Sequence, residues 1–440
     1  MTVTENNPRI ALFPQTAEVN DRGHLVIGGC NTVRLASEFG TPLYLYDELG
    51  LRSKCAEYKT EFAKRYPDIM VLYASKAFIN KAMALLIKEE GLGLDVVSGG
   101  EMGIARSVDF PLQKAYFHGN NKSAMELSQA LEWGIGRIVV DNFHELEMLN
   151  RIAGEKGCKP DILLRITPGV DVHTHQYTIT GNVDSKFGFP LVTAEEAVST
   201  ALSLPNLKLI GLHFHIGSLI FESEPYLKSV EFILNLAAEM KRKNGFELRE
   251  LDIGGGFGVQ YTLDSPAPPV SFFAEALTSK VMSQCEKLKM PLPRLIIEPG
   301  RSIVARSGIA LYTVGVVKEI PGIRCYVSID GGMADNIRPA LYGARQEAML
   351  ANRMRDSDTG KFTIAGRFCE SGDILIRDIS LPHPVAGDIL AVPGCGAYCI
   401  PQACNYNASF KVPIMFVRDG KARLVRRRET LEDLTRCDLV

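Results

Sequence analysis

Apolar and polar positions alternate regularly between about residue 41 and residue 300. Short β-branched runs are separated by longer segments of helical character, which is the pattern of βαβ units around a parallel sheet. Eight runs fit this description: IMVLYAS (69–75), LDVVS (94–98), AYFHG (115–119), RIVVD (137–141), DILLRIT (161–167), LIGLHFHIG (209–217), ELDIGGG (250–256) and RLIIEPG (294–300). Eight is the strand number of a (β/α)8 TIM barrel, and we predict that fold for residues 41–304.

Polar groups stand at the C-terminal ends of nearly all these runs. They are Lys76, Ser98, His118, Arg165, His215, the glycines 254–256, Glu298 and Arg301. A doubly wound open sheet also contains many parallel strands, so the strand count alone does not establish closure. Barrel active sites are built at the carboxyl ends of the strands, and the polar groups therefore favour the barrel.

After about residue 305 the runs are strand-like and no helical segments separate them. They read ALYTVGVV, RCYVSID, FTIAGRF, DILIRDI and DILAVPG. We predict a mainly antiparallel β-domain over residues 305–440, with a two-residue hairpin at Asp419-Gly420. The run HLVIGG within residues 1–40 is expected to pair into the same sheet, which would make the barrel an insertion.

Composition agrees with a two-domain globular protein that acts on small molecules. The 440 residues are 46% hydrophobic and 23% charged, and the formal net charge is -2. A protein with this net charge lacks the broad positive field that is required to bind nucleic acids or anionic membranes. The first thirty residues do not resemble a signal peptide, and no apolar run is long enough for a membrane span. We expect a cytoplasmic protein whose ten irregularly spaced cysteines are mostly reduced.

Lys76 is the first candidate for chemistry. It follows the apolar run VLYAS, and apolar surroundings lower the pKa of a lysine and make it a usable nucleophile toward an aldehyde. Taken alone, a lysine after a strand is most often a solvated surface residue. Lys76 becomes a candidate because other residues suited to binding a cofactor lie at the neighbouring strand ends.

Three consecutive glycines, Gly254, Gly255 and Gly256, end the seventh run, where bare backbone amides can approach a phosphate. Their spacing is not the G-x-G-x-x-G of dinucleotide-binding folds, and a plain tight turn is the alternative. Glu298 and Arg301 end the eighth run. A carboxylate there can keep a pyridine nitrogen protonated and a guanidinium can bind phosphate or carboxylate, although a structural ion pair is equally ordinary.

The sixth run carries His213 and His215 on one side of a strand, with Ser218 just beyond. A flat imidazole on a cofactor ring and a serine at its phosphate account for this pattern. We predict no metal, because neither this pair nor His173 and His175 has a carboxylate or cysteine at ligand spacing. The second pair is equally consistent with solvated loop residues.

Three further groups lie in the predicted β-domain. The segment CESGD contains Cys369, Glu370 and Asp373, and a cysteine between acids and glycine is expected to be exposed and able to donate a proton. Arg338 and Tyr342 are candidates for binding a carboxylate. Tyr398 lies in a segment whose cysteines match no common zinc spacing and are expected to be small buried residues: Cys395, Cys399 and Cys404.

Together these stretches resemble the diaminopimelate decarboxylases, within the fold-type III group that includes eukaryotic ornithine decarboxylase and alanine racemase. The resemblance covers nearly the whole chain in ten ordered segments: YASKAFIN, GLGLDVVSGGEM, HGNNKS, HTHQYTITGNVDSKFGF, GLHFHIGS, LDIGGGFG, EPGRS, DGGMADNIRPALYGA, CESGDIL and GAY. It implies a carboxy-lyase that converts meso-diaminopimelate to L-lysine with pyridoxal 5'-phosphate.

The resemblance also implies a role for each candidate residue. Lys76 holds the cofactor as a Schiff base, His215 stacks on its ring and Glu298 contacts its nitrogen. The phosphate is held by Ser218, Gly255, Gly256 and Tyr398, with Arg301 also counted among the cofactor-binding residues. The substrate's remote end is bound by Arg301, Arg338, Tyr342, Glu370 and Tyr398. Cys369, from the other subunit of a head-to-tail homodimer, returns the proton.

The sequence departs from the family at Leu219, where many relatives have glutamine, and in the segment 399–412 after GAY. Three alternatives stay open. A racemase-like enzyme would share the fold and the lysine. A related decarboxylase would act on ornithine, lysine or a carrier-linked amino acid. An inactive, partner-binding paralogue would be expected to have lost Lys76, Cys369 or the glycine run, all of which are present.

Overall fold

The computed structural model describes residues 8–169 and 184–439. Its chain divides into two compact units. The barrel unit comprises residues 55–258 and 267–300, and the β-rich unit comprises residues 1–54, 259–266 and 301–440. The predicted boundaries at 40/41 and 304/305 differ from this division, and the short segment 259–266 belongs to the β-rich unit.

The chain begins with elements of the β-rich unit, numbered here in chain order. They are a 3-10 helix (Pro8–Leu12), β1 (Glu18–Val19), β2 (Leu25–Ile27), β3 (Cys30–Asn31), α1 (Thr32–Phe39), β4 (Leu43–Asp47) and α2 (Glu48–Ala63), which continues into the barrel unit. Strands β1 to β3 form a separate three-stranded antiparallel sheet. The prediction that HLVIGG joins the C-terminal sheet was therefore wrong. Tight turns at Gly23 and at Gly28-Gly29, all with positive φ, give β2 local partners on both sides.

Parallel strands close into a barrel. They are β5 (Ile69–Ala74), β6 (Gly93–Val96), β7 (Ala115–Phe117), β8 (Arg137–Val140), β9 (Asp161–Thr167), β11 (Lys208–His213), β12 (Glu250–Asp252) and β13 (Arg294–Ile297), with a short β10 (Phe189–Pro190) beside β9. Pairing of β13 with β5 and of β8 with β9 completes the ring. All eight predicted runs are barrel strands, and the predicted fold is confirmed.

Helices follow the barrel strands. They are α3 (Lys81–Glu89), α4 (Gly99–Arg106), α5 (Ala124–Glu132), α6 (Phe143–Glu155), α7 (Leu191–Ser203), α8 (Glu224–Asn244) and α9 (Val270–Leu288), with 3-10 turns at Ser75–Ala77 and Leu112–Lys114. Four of these helices begin at a side chain that accepts a backbone N–H: Asn80, Ser98, Ser123 and Asn142. Ser98 therefore caps α4, and this structural role accounts for a polar group that we had counted among the chemically useful strand ends.

The barrel interior is packed and its N-terminal end is closed by polar contacts. Six buried residues from different strands form one apolar cluster: Leu72, Tyr116, Val139, Leu163, Ile210 and Ile296. The hydroxyl of Tyr116 donates to Glu250 Oε2 at 2.9 Å, and Arg137 Nη2 donates to Glu250 Oε1 at 2.8 Å. The C-terminal ends of the strands are therefore the end of the barrel that is available for an active site, as in other barrels.

The remaining elements complete the β-rich unit. They are α10 (Arg301–Val304), β14 (Gly308–Ile320), β15 (Arg324–Ile329), α11 (Arg338–Tyr342), β16 (Met349–Leu350), β17 (Gly360–Ala365), β18 (Ile374–Leu381), β19 (Ile389–Val392), two 3-10 turns (Ile400–Gln402 and Tyr406–Ala408), β20 (Ile414–Arg418), β21 (Lys421–Arg426) and α12 (Leu431–Thr435). The main path of the sheet is β18-β17-β15-β14-β4-β20-β21, and β19 pairs with β14 and β16. Its pairings are antiparallel except β15–β17 and β4–β20, so the predicted mainly antiparallel domain is confirmed. Asp419 and Gly420, both with positive φ, form the predicted hairpin turn.

Within the described ranges, no helix has the length and apolar character required to cross a bilayer. The ten cysteines form no disulfide within the described residues, and Cys158, Cys369, Cys404 and Cys437 are exposed.

Candidate active site

One cavity of about 350 Å³ opens among the C-terminal ends of the barrel strands. Five of the polar groups noted at strand ends line it: Lys76, His118, Arg165, His215 and Glu298. Asp95, His213 and Phe187 also line it. The volume lies in the range of small-molecule sites.

Lys76 lies in the 3-10 turn after β5, and a buried carboxylate accompanies it. Its Nζ is 4.0 Å from Asp95 Oδ2; the lysine side chain is 40% exposed and that of Asp95 is 2% exposed. Burial raises the pKa of Asp95, while His118 and Lys76 act in the opposite direction. The ammonium is thus reachable from the cavity and has a counter-ion. We had not singled out Asp95, although a lone acid in an apolar run was a usable signal.

Glu298 follows β13 and lies between two buried histidines. Its Oε1 is 2.8 Å from His118 Nε2, and its Oε2 is 3.5 Å from His213 Nε2. Burial alone would raise the pKa of Glu298, but the two histidines hold it well below its usual range. Burial lowers the pKa of His213 to about 3. The carboxylate therefore carries a negative charge deep in the cavity.

The same carboxylate has unused hydrogen-bonding capacity. In the described residues, Glu298 Oε1 and the Nε2 atoms of His118 and His213 complete no hydrogen bond. A buried acceptor without a donor favours a ligand that supplies one.

His215 and the glycine run adjoin each other. The backbone N–H of Gly255 donates to His215 Nδ1 at 3.2 Å. Burial, and then the positive charges of Lys76 and Arg165, hold the pKa of His215 well below its usual value, so its ring is neutral. A Cβ on Gly255 would lie 2.0 Å from the carbonyl oxygen of Glu298, and one on Gly256, where φ is +105°, would lie 2.1 Å from that of Gly217. Only bare backbone fits here.

Ser218 and Leu219 lie in the loop that packs along the glycine run. Ile220 donates its N–H to the carbonyl of Gly256 at 2.9 Å, and its carbonyl accepts the N–H of Gly258. Leu219 adopts a positive φ of 61°. The departure from glutamine therefore falls at a conformationally demanding position of this loop.

In the β-rich unit, Arg301 stacks on Tyr398. Tyr261 links this pair to Arg338. The guanidinium of Arg301 lies 4.4 Å from the ring centre of Tyr398. Arg301 Nη1 also donates to the hydroxyl of Tyr261 at 3.2 Å, and the guanidinium of Arg338 lies 4.3 Å from the centre of that tyrosine ring. Tyr261 was not identified from the sequence, because a tyrosine in a loop carries no motif.

Other predicted residues of this unit have separate partners. The Tyr342 hydroxyl accepts from Gln402 Nε2 at 2.9 Å. Cys369 is exposed, as expected, and Glu370 is exposed beside it. Asp373 is buried and accepts the N–H groups of Met333 and Phe368 at 2.6 and 2.9 Å, so it shapes this turn.

The three cysteines around Tyr398 do not all behave as small buried residues. Cys395 and Cys399 are buried and Cys404 is exposed. Cys399 Sγ donates to Asn336 Oδ1 at 3.3 Å. The prediction was wrong for Cys404, because its segment lies at the surface, and incomplete for Cys399, which takes part in a buried polar network.

The structure brings His213 close to His118 and Glu298. Ligand atoms of His118, His213 and Glu298 lie within 4.8 Å of one another. His173 and His175 lie outside the described residues.

Comparisons with known proteins agree with this site. A family model described as "Pyridoxal-dependent decarboxylase, pyridoxal binding domain" matches residues 51–305. Diaminopimelate decarboxylase of Halalkalibacterium halodurans is 47% identical over 97% of this chain and 98% of its own length. That of Bacillus subtilis is 46% identical over 96% of this chain and 97% of its own length.

The chain belongs to the diaminopimelate decarboxylase family of pyridoxal-dependent decarboxylases.

Solved structures extend the likeness to three dimensions. Diaminopimelate decarboxylase from M. jannaschii superimposes with a TM-score of 0.90 at 34% identity, covering 97% of this chain and 98% of that one. A lysine/ornithine decarboxylase from Vibrio vulnificus has a TM-score of 0.76 at 21% identity, covering 91% of this chain and 100% of that one. This second likeness shows a shared fold alone.

Residues of the barrel unit suit the family's cofactor by their chemistry. An amine at Lys76, a charged carboxylate with an unused acceptor at Glu298 and a bare-backbone turn at residues 254–256 match an aldehyde, a pyridine nitrogen and a phosphate. The three polar ends of the cofactor thus each have a chemically suited group in the barrel unit.

Proposed function

We propose that this protein decarboxylates meso-2,6-diaminopimelate to L-lysine and carbon dioxide with pyridoxal 5'-phosphate, the last step of lysine biosynthesis. The observation that carries the proposal is 46–47% identity to diaminopimelate decarboxylases over nearly the full length of both chains. The cavity with Lys76, Asp95 and Glu298 supports it independently.

Within the barrel, six residues bind the cofactor. Lys76 holds its aldehyde carbon, Glu298 holds its ring nitrogen, His215 lies against the ring, and Ser218, Gly255 and Gly256 hold the phosphate. When bound, pyridoxal phosphate supplies an electron sink for the pair left behind by carbon dioxide. The negative charge that His118 and His213 maintain on Glu298 keeps a proton on the ring nitrogen, which the sink requires.

The β-rich unit supplies the remaining roles in the proposal. Arg301 and Tyr398 contribute to phosphate and substrate binding, and Arg338, Tyr342 and Glu370 bind the substrate's remote carboxylate and amino group. Cys369 returns a proton to the carbon that has lost carbon dioxide. Its exposure supports a role toward a second chain, and we propose a homodimer with shared sites.

The location proposed for this enzyme is the cytoplasm. Ten cysteines that form no disulfide in the described residues are consistent with a reducing compartment. Free amino acids, rather than nucleic acids or membranes, are its proposed partners.

The decisive experiment measures carbon dioxide release from meso-diaminopimelate, ornithine, lysine and arginine by the purified protein. We expect release from meso-diaminopimelate and an equal yield of L-lysine. The Lys76→Ala variant should lose both the activity and the visible absorption of the bound cofactor. Release from ornithine in place of diaminopimelate would overturn the substrate assignment, and unchanged absorption in the variant would overturn the role of Lys76.

A further inference from the structure

Tyr261 contacts two arginines through two different parts of its side chain. Its hydroxyl accepts from Arg301 Nη1 at 3.2 Å, and its ring lies 4.3 Å from the guanidinium of Arg338. Arg301 lies in turn 4.4 Å from the ring of Tyr398. The four side chains form a continuous row within the β-rich unit, and Tyr261 is the member that joins the two cations.

Arg338 contributes a buried positive charge to this row. Only 3% of the residue is exposed. It forms no ion pair with a carboxylate in the described part of the chain; its Nη1 donates to the carbonyl of Gly394 at 3.4 Å, and the thiol of Cys399 also lies beside it. A buried guanidinium without an anion is costly unless a ligand completes it. This charge indicates an anionic ligand, and a planar carboxylate matches the fork of a guanidinium.

The ring of Tyr261 packs closely against the backbone at Gly394. Gly394 adopts a positive φ of 69°, and a Cβ there would lie 2.8 Å from Tyr261 Cδ1. Thr262, the next residue, donates to Asp264 Oδ1 at 2.6 Å, and Asp264 pairs with Arg345 at 2.8 Å. The segment 259–266 is thus anchored to the β-rich unit, although the chain before and after it belongs to the barrel unit.

We propose that Tyr261 is a positioning residue that holds Arg301 and Arg338 as one clamp for a carboxylate, and that it thereby determines the preference for substrates with a carboxylate at the remote end. The aromatic face offsets the charge of Arg338, and the hydroxyl fixes the direction of Arg301. Without the tyrosine, two like charges would separate and lose their common orientation. The inference rests on the proposed function and adds to it the residue that sets the clamp.

Steady-state kinetics with meso-diaminopimelate test the proposal in the full-length, cofactor-loaded protein. Tyr261→Phe keeps the ring and removes the hydroxyl, and we expect KM to rise about tenfold with kcat changed less than about twofold. Tyr261→Leu removes both contacts and should raise KM by about a hundredfold. The control is Tyr326→Leu, which removes the ring 6.0 Å from the guanidinium of Arg324 elsewhere in the same unit and should change neither constant.

A binding measurement separates this role from a general structural one. L-lysine carries a carboxylate that cadaverine lacks, so inhibition by L-lysine should weaken in the Tyr261 variants by the same factor as KM rises. Inhibition by cadaverine should stay unchanged, as should the thermal midpoint and the cofactor absorption of Tyr261→Phe. Equal weakening of both inhibitors, or an unchanged KM in both variants, would overturn the inference. Absence of carbon dioxide release from diaminopimelate in the wild type would instead overturn the proposed function.

Discussion

Three carboxylates in the barrel cavity region show how neighbouring side chains determine whether a buried carboxyl group is protonated. Asp95, Asp252 and Glu298 are all almost fully buried. Burial and the charge of Glu298 raise the pKa of Asp252 well above its usual value, whereas two histidines keep that of Glu298 low. Of Asp252 and Glu298, it is therefore Glu298, the residue nearest the histidines, that carries the negative charge. Placing it there matters because a ring nitrogen is held strongly only by an ionised partner.

Glu101, at the start of α4, gives a prediction about pH. Burial raises its pKa from 4.5 to about 7, against an opposing hydrogen bond from Val97 N–H. Between pH 4.5 and about pH 7 the folded chain retains a proton that the unfolded chain has lost. The free energy of unfolding therefore decreases as the pH rises through this range. Glu101→Gln cannot titrate. It should be about as stable as wild type near pH 4.5 and more stable above pH 7, by at most about 3 kcal/mol.

Thermal midpoints of both proteins across this range measure the effect, and Glu126→Gln is the matched control. Glu126 lies in the first turn of the next helix. Burial alone would raise its pKa, but hydrogen bonds from Gly99 and Ser123 lower it. Its contribution to stability is full above pH 4.5 and is lost only on acidification below that value. The difference between Glu126→Gln and wild type should therefore stay constant from pH 4.5 to 7. A constant difference for Glu101→Gln would refute the assignment.

At the scale of elements, the glycine run allows its backbone to lie directly against neighbouring backbone carbonyls. Gly256→Ala would force a side chain into a backbone region with φ of +105° and against the carbonyl of Gly217. We expect a loss of about 2 kcal/mol or more in stability and weaker cofactor retention. Gly103→Ala is the control, because Gly103 lies in α4 and, apart from its chain neighbours and the backbone of its own helix, no atom lies within 4 Å of where the alanine methyl group would be.

Gly103→Ala should gain about 0.5–1 kcal/mol, since alanine favours a helix interior. Thermal midpoints and cofactor release during dialysis measure both variants. A Gly256→Ala protein with wild-type midpoint and cofactor retention would show that the turn relaxes without cost. The role of the glycine run as a rigid cradle would then be wrong.

Elements with a strong local signal could be predicted from the sequence. The eight barrel strands and the Asp419-Gly420 hairpin have apolar runs and turn residues that act over a few positions. Strands of two residues, such as β1 and β16, have no such signal, because only their partners define them. Ser98 shows the converse limit: a polar residue after a strand can be a helix cap or a site residue, and both have the same sequence pattern.

In the barrel cavity, the lining residues could be predicted only where they lie at strand ends. Lys76, His215 and Glu298 share that position, and the closed barrel brings strand ends together. Asp95 was missed because it lies inside a strand, and Tyr261 because its contacts with Arg301 and Arg338 depend on folding. Such contacts join residues that are distant in sequence, and no local pattern specifies them.

At the scale of the whole molecule, the β-rich unit is assembled from three separate stretches of chain. Strand β4 near the N-terminus pairs with β14 and with β20, which follow the entire barrel. The barrel is thus inserted between strands of one sheet. This arrangement means that the unit carrying Cys369 completes its sheet only after the barrel sequence has been supplied.

The proposed homodimer with shared sites gives the last prediction. If each site combines Lys76 of one chain with Cys369 of the other, Lys76→Ala and Cys369→Ala are each inactive alone. Mixed in equal amounts and allowed to exchange subunits, half of the dimers carry one variant of each kind, and one of their two sites is intact. Activity should recover to about a quarter of the wild-type value.

The recovery distinguishes a shared site from two self-contained ones. With self-contained sites, each chain retains its own defect, so mixing would restore no activity at any ratio of the two variants. The control is a protein carrying both substitutions, mixed with wild type. Mixed dimers then have one defect in each site: the wild-type Lys76 faces a chain without Cys369, and the wild-type Cys369 faces a chain without Lys76. Shared sites predict that these dimers are inactive, whereas self-contained sites predict that they keep half of their activity.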